Sequence, residues 1–273
     1  MEAQILTLLS GMVRVAIPIS FAALAGMLSE RVGIVNMGLE GIMLIGSFFG
    51  VVGSYLSGNA WIGLLFAIAS GAVMGLVLAV LTVGFKCEHV LAGLGINMFA
   101  SGITVVLLQA IWDSKGKSAM VAGLGKWKLP VISQIPIVKS IIGNISPLFY
   151  LLVVCVILLW VLLYRTPLGL RIRVIGENPE LAGTMGVNVY LVQYVFVIIS
   201  GMLAAVGGAT GTLVNLIVGF FVGLSSGATV IISQYFGARE ENGVSRTVHT
   251  AIAMGLGGGL ILSIAGIIVS PAI

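Results

Sequence analysis

Eight apolar stretches, each long enough to cross a lipid bilayer, fill most of this chain, and apart from Arg14 and Glu40 the charged residues lie outside them. At about 20 residues per crossing, the stretches lie near 4–28, 34–56, 60–85, 90–112, 147–164, 190–209, 212–235 and 248–270. A run of this length in hydrocarbon must pair its own backbone N–H and C=O groups, which favours the α-helix. Only 8% of residues are charged, against about 25% in soluble domains. So few charges cannot clothe a water-soluble surface, and 59% of the residues are hydrophobic. The expected fold is all-α, a polytopic transmembrane helix bundle of about seven to eight membrane segments. The 38 glycines suit close helix packing in lipid.

Several features qualify this plan. Arg14 and Pro18 are expected to break the first span, and 29–59 reads equally as a span or as a broken or re-entrant helix. The choice alters which side the N-terminus faces. The first stretch lacks a signal-peptide cleavage site and is expected to stay in place. Cys87 and Cys155 have no metal-ligand spacing and suggest no disulfide framework. His89 and His249 stand at span ends, where an interfacial hydrogen bond is the favoured role. The net charge of +4 comes from loop lysines and arginines and implies no nucleic-acid partner. No nucleophile–base pair or nucleotide-binding motif is present, so an enzyme is not expected.

A long charged segment rich in arginine lies between apolar spans at 165–189, RTPLGLRIRVIGENPELAGTMGVNV. Arg165, Arg171 and Arg173 follow directly on an apolar run, which marks a cytoplasmic loop. Asn178 can cap a helix, Pro179 fits its first position, and Glu180 suits its first turn. Gly186 and Asn188 can end it. A short cytoplasmic helix is therefore expected near 177–186, suited to contact with a soluble partner. Counting back places 113–146 outside, although Lys115, Lys117, Lys126, Lys128 and Lys139 run against the positive-inside trend. Counting forward places 236–247 inside, in agreement with Arg239 and Arg246.

Polar side chains inside apolar sequence form a second set. Asn36 and Glu40 are four apart and would share one helical face. Asn97 lies within LAGLGINMF. Such groups serve either helix–helix hydrogen bonding or contact with a transported solute, and Glu40 has the further option of an ion pair with Arg31. The run SERVGIVNMGLEGIMLIGS, the segment VLAGLGINMF, the stretch LPVISQIPIV and the charged loop together resemble ABC-type permeases for nucleosides and simple sugars over about residues 1–208. The resemblance implies a permease subunit of an importer for nucleosides or related small solutes, in the bacterial cell membrane. It implies a second permease subunit, a separate ABC ATPase that hydrolyses ATP, and an extracellular solute-binding protein. No cofactor in this chain is implied. Gly176, Glu177, Asn178, Pro179, Glu180 and Ala182 would form the contact with the ATPase, and Asn36, Glu40 and Asn97 would meet the solute.

From about residue 209 the likeness changes. The run VGFFVGLSSGATVIISQYFGA, the following Arg-Glu-Glu turn and a basic entry into the next span resemble multidrug and toxin extrusion (MATE) antiporters. The changeover lies near Ala204–Gly211, which makes the chain look like a fusion of 1–208 with a MATE-like helix pair at 209–273. That pair holds no acidic residue within a span, so it lacks the group an antiporter needs to couple an ion. Gly219, Gly223 and Gly227 form a smooth packing stripe there. An antiporter fragment and a nonfunctional fusion are the alternatives that follow.

Overall fold

The computed structural model describes residues 2–113 and 146–210, together with scattered positions between 235 and 259. The chain divides into two compact units, Met1–Thr212 and Leu213–Ile273. In the first unit the helices are α1 (Glu2–Glu30), α2 (Leu39–Ser57), α3 (Ala60–Ala79), α4 (His89–Trp112), α5 (Pro147–Arg165), α6 (Pro167–Glu177), α7 (Pro179–Thr184) and α8 (Val189–Thr210). One π-helical turn, Val80–Gly84, prolongs α3. No strand occurs among the described residues. Six segments among them are long and apolar enough to cross a membrane: Gly11–Glu30, Leu39–Ser57, Ala60–Gly84, His89–Trp112, Pro147–Arg165 and Val189–Ala209. These match the first six expected spans.

In the second unit, 245–255 is helical, the start of the last expected span. His249 Nδ1 lies 2.7 Å from the Ser245 carbonyl oxygen, one turn back. The expected span 212–235 and the Gly219/Gly223/Gly227 stripe lie outside the described residues, apart from Tyr235.

Two expectations about the N-terminal region need correction. The first span is not broken, because α1 runs unbroken through Arg14 and Pro18. Pro18 is fully buried. A Cβ on Gly207 would stand 2.9 Å from the Pro18 carbonyl oxygen, so α8 packs directly over the proline. Close helix packing is what lets a membrane helix tolerate a missing backbone bond. Nor is 29–59 re-entrant. α1 ends at Glu30, a turn fills 31–38, and α2 is a single helix.

Small residues set the core. Helix α8 packs on α1, α2 and α3. A Cβ on Gly71 would strike Ala205, and one on Gly201 would lie 2.8 Å from the Gly75 Cα, so α3 and α8 touch backbone to backbone. Gly46 faces Ala205 and Gly50 faces Ala209, so α2 and α8 run in the same direction. Val197, Ala204 and Ala205 are fully buried with Leu78, Ile42 and Ala25. Helix α5 adds Leu148 and Leu152 to a second cluster with Ile17, Phe21, Leu64 and Val206. Its other side leaves Val154, Ile157, Leu158 and Trp160 exposed, as a lipid-facing surface does.

This packing gathers the end of α1, the start of α2, the α3–α4 connection, α6, α7 and the start of α8 at one end of the bundle. The start of α1 and the α2–α3 turn lie at the other.

Candidate functional site

The charged loop folds as an elbow of two helices. Thr166 starts the first: its Oγ1 accepts from Gly169 N at 3.3 Å and donates to the Leu162 carbonyl at 2.5 Å. Pro167 occupies the first turn, and α6 buries Ile172 and Ile175. At Asn178 the backbone becomes extended, and the Asn178 Oδ1 accepts from Leu181 N at 3.0 Å. Pro179 and Glu180 fill the first turn of α7, as the residue types require. Gly186, at φ +77°, closes α7. Gly186 N donates to the Gly183 carbonyl and Val187 N to that of Ala182, at 3.0 and 3.2 Å. This pair of bonds is a Schellman motif.

The capping residues sit where the sequence placed them, with two corrections. Gly176 and Glu177 finish α6 rather than open a helix of 177–186. Asn188 starts α8 rather than ending α7, since its Oδ1 accepts from Leu191 N at 3.1 Å. The cationic ends fold back on aromatic rings. The Arg165 guanidinium lies 5.3 Å from the Trp160 ring centre, and that of Arg173 lies 5.4 Å from Tyr164. Ala182 is buried, while Leu181 and Met185 are exposed on α7.

Beside the elbow lies the 31–38 turn. Its start is also a Schellman closure: Gly33 N reaches the Glu30 carbonyl and Ile34 N that of Ser29, at 2.9 and 3.1 Å. Gly33 has φ +81°, a conformation that favours glycine. A Cβ on Gly176 would come 2.5 Å from the Arg31 carbonyl oxygen, so the end of α6 rests on this turn. Gln193 Nε2 donates to the Val32 carbonyl at 3.1 Å. Val35 N donates to His89 Nδ1 at 3.4 Å.

The three expected solute contacts part company here. Asn36 is not on a helix with Glu40; it is buried in the turn, which reaches α2 through Gly38. Asn36 Nδ2 donates to Ser200 Oγ at 3.2 Å, and its Oδ1 accepts from Gly38 N at 3.1 Å. Ser200 Oγ in turn donates to the Ala25 carbonyl at 2.7 Å. Asn97 bridges the two sides of Gly38: Nδ2 donates to the Met37 carbonyl at 3.1 Å, and Oδ1 accepts from Gly41 N at 2.8 Å. Both amides thus hold backbone. Glu40 lies half-buried in the first turn of α2, where a carboxylate suits the helix dipole. It makes no ion pair with Arg31 and has no hydrogen-bond partner among the described residues.

Two clefts open at this end. One, of about 720 Å³, is lined by Lys86, His89, Glu180, Asn188, Tyr190 and Gln193 among others. The other, of about 340 Å³, lies between Met27, Glu30, Arg31, Arg173, Gly176 and Glu177. The sequence did not single out Ser200, Gln193 or α6. The Thr166-Pro167 pair was the available signal for α6, being the same cap-then-proline pattern as Asn178-Pro179.

A family model described as branched-chain amino acid transport system/permease component matches residues 8–271. The nucleoside ABC transporter permease protein NupC of Lactococcus lactis is 39% identical over 199 residues, 70% of this chain and 62% of its own length. The guanosine ABC transporter permease protein NupQ of Bacillus subtilis is 37% identical over 202 residues, 71% and 63% of the two chains. A putative glucose ABC transporter permease protein, TsgC13 of Haloferax volcanii, is 33% identical over 206 residues, 74% and 61%. The chain thus spans about three fifths of the length of these curated relatives. No solved structure matches it. The family match runs through 209–271 and gives no support to the antiporter likeness of that segment or to a fusion.

Proposed function

We infer the function from a premise of kinship: this chain belongs to the family of branched-chain amino acid transport system permease components. It is a multi-pass cell-membrane protein. Within that frame it acts as the permease subunit of an ABC importer for nucleosides or related small solutes. A partner ATPase hydrolyses the ATP, a second permease subunit completes the path, and an extracellular solute-binding protein delivers the solute. The nucleoside class rests on relatives that carry that name.

The observation that carries the reading is the elbow. Two capped helices end a membrane span, expose Leu181 and Met185, and rest on the turn that leads to Glu40. Gly176, Glu177, Asn178, Pro179, Glu180 and Ala182 belong to the segment that docks the ATPase. Of the three polar candidates, Glu40 has no hydrogen-bond partner among the described residues and meets the solute, while Asn36 and Asn97 hold the backbone that presents it. The test is nucleoside uptake and ATP hydrolysis in vesicles holding the assembled importer. Glu177→Lys should abolish stimulation of hydrolysis by loaded binding protein and leave insertion unchanged. Unaltered stimulation would reject the docking role.

The division into 1–208 and a MATE-like pair at 209–273 is a separate proposal, supported by the quoted motif run alone. Expression in an efflux-deficient host tests it by dye export, and none above the empty vector is expected. Cation-coupled export would give the tail an antiporter's activity and overturn the permease reading.

A further inference from the structure

The 31–38 turn is restrained from three helices at once. Gly176 of α6 abuts it at Arg31 and Gly33. Gln193 and Ser200 of α8 bind it at Val32 and Asn36. His89 and Asn97 of α4 bind it at Val35 and Met37. The α6 contact leaves no slack, because a Cβ on Gly176 would already crowd the Arg31 carbonyl. Backbone pressed on backbone has no rotamer through which to yield. At the far side Asn97 grips both flanks of Gly38, so displacement of the turn reaches α4 through these two bonds, beside the His89 bond and the close packing of Gly93 on Met37.

We propose that the 31–38 turn is a stiff linkage that carries movement of the α6–α7 elbow to the first turns of α4, with Gly176 as input contact and Asn97 as output. Asn97 is then a positioning residue. The proposal rests on the reading of the elbow as the docking element, yet its test needs neither ATPase nor solute.

Cys87 is exposed two residues before α4 and serves as a native probe. With Cys155→Ser leaving one thiol, the labelling rate of Cys87 by a maleimide is measured on the full chain in membranes. Gly176→Ala should change that rate by at least about threefold, the scale of coupling between residues in one network. Gly95→Ala, on α4 with nothing within 4 Å of the added methyl, should not change it. In Asn97→Ala the further change made by Gly176→Ala should be smaller, with the His89 bond to Val35 still in place. A Gly176→Ala rate equal to the Gly95→Ala rate overturns the linkage, as does an effect of the same size with and without Asn97. If Gly176→Ala does not accumulate, Asn97→Ala decides in reverse. Amide exchange at 172–177 should then rise by at least about threefold, and unchanged exchange overturns the proposal. Wild-type transport failing while Cys87 responds as expected would count against the importer reading alone.

Discussion

At Gly71 there is no room for a methyl group, because Ala205 and the Gly201 carbonyl occupy its place. Overpacking of this kind costs about 1–3 kcal/mol, and two helix backbones would have to part to relieve it. Gly71→Ala should therefore lower the thermal unfolding midpoint in detergent, while Gly102→Ala, with nothing within 4 Å, should not. Equal midpoints would deny α3–α8 contact its place in the core. Glu40 calls for a different test. Glu40→Gln keeps the shape and removes the charge. Nucleoside uptake should weaken by about tenfold, the scale of about 1.4 kcal/mol, at unchanged membrane insertion. Wild-type uptake would leave Glu40 as a helix-dipole residue only. The sequence marked Asn36, Glu40 and Asn97 as polar groups in apolar surroundings. Their division of labour was hidden because it depends on where α2 begins. A spacing of four looks helical, but the helix starts at Leu39, so Asn36 faces Ser200 from a turn.

For single elements, the cap decides where a helix starts. Ser146-Pro147, Thr166-Pro167 and Asn178-Pro179 each pair a capping oxygen with a proline in the first turn. This chemistry is local, so α7 was legible from 178–180 alone. The same pattern at 166–167 went unread because Gly169 and two arginines follow it, and α6 owes its stability to burying Ile172 and Ile175 against the bundle. Burial of that kind is a tertiary fact. Asn178→Ala should cost about 1 kcal/mol of local stability. Faster amide exchange confined to 179–184 would show it, and unchanged exchange would mean that packing of Ala182 alone holds α7. Leu181→Pro removes the N–H that Asn178 accepts and so leaves α7 without its cap bond. In the assembled importer, uptake should fall at least about tenfold while unstimulated ATP hydrolysis continues. Parallel loss of both would point to failed assembly.

On the scale of the whole first unit, the six membrane spans were readable because each apolar run is complete in itself. Which ends come together was not, since that follows from glycine contacts between distant helices. The structure puts Arg31, Lys86, Arg165, Arg171 and Arg173 at one end of the bundle, the distribution expected of a cytoplasmic face. Membrane-impermeant thiol reagent should then reach Gly183→Cys only from the cytoplasm, and Asn59→Cys only from outside. The opposite pattern would invert the protein. The joint between Gly33 and Gly176 adds a consequence for the conditions under which such a machine runs. Neither residue offers a side chain, so the contact itself carries no charge, although Glu30, Arg31, Arg173 and Glu177 line the cleft beside it. Salt sensitivity is expected from the charged side chains that surround this contact, Glu30, Arg31, Arg173 and Glu177. Ionic strength then acts on those side chains, while the backbone contact of Gly176 with the Arg31 carbonyl stays uncharged.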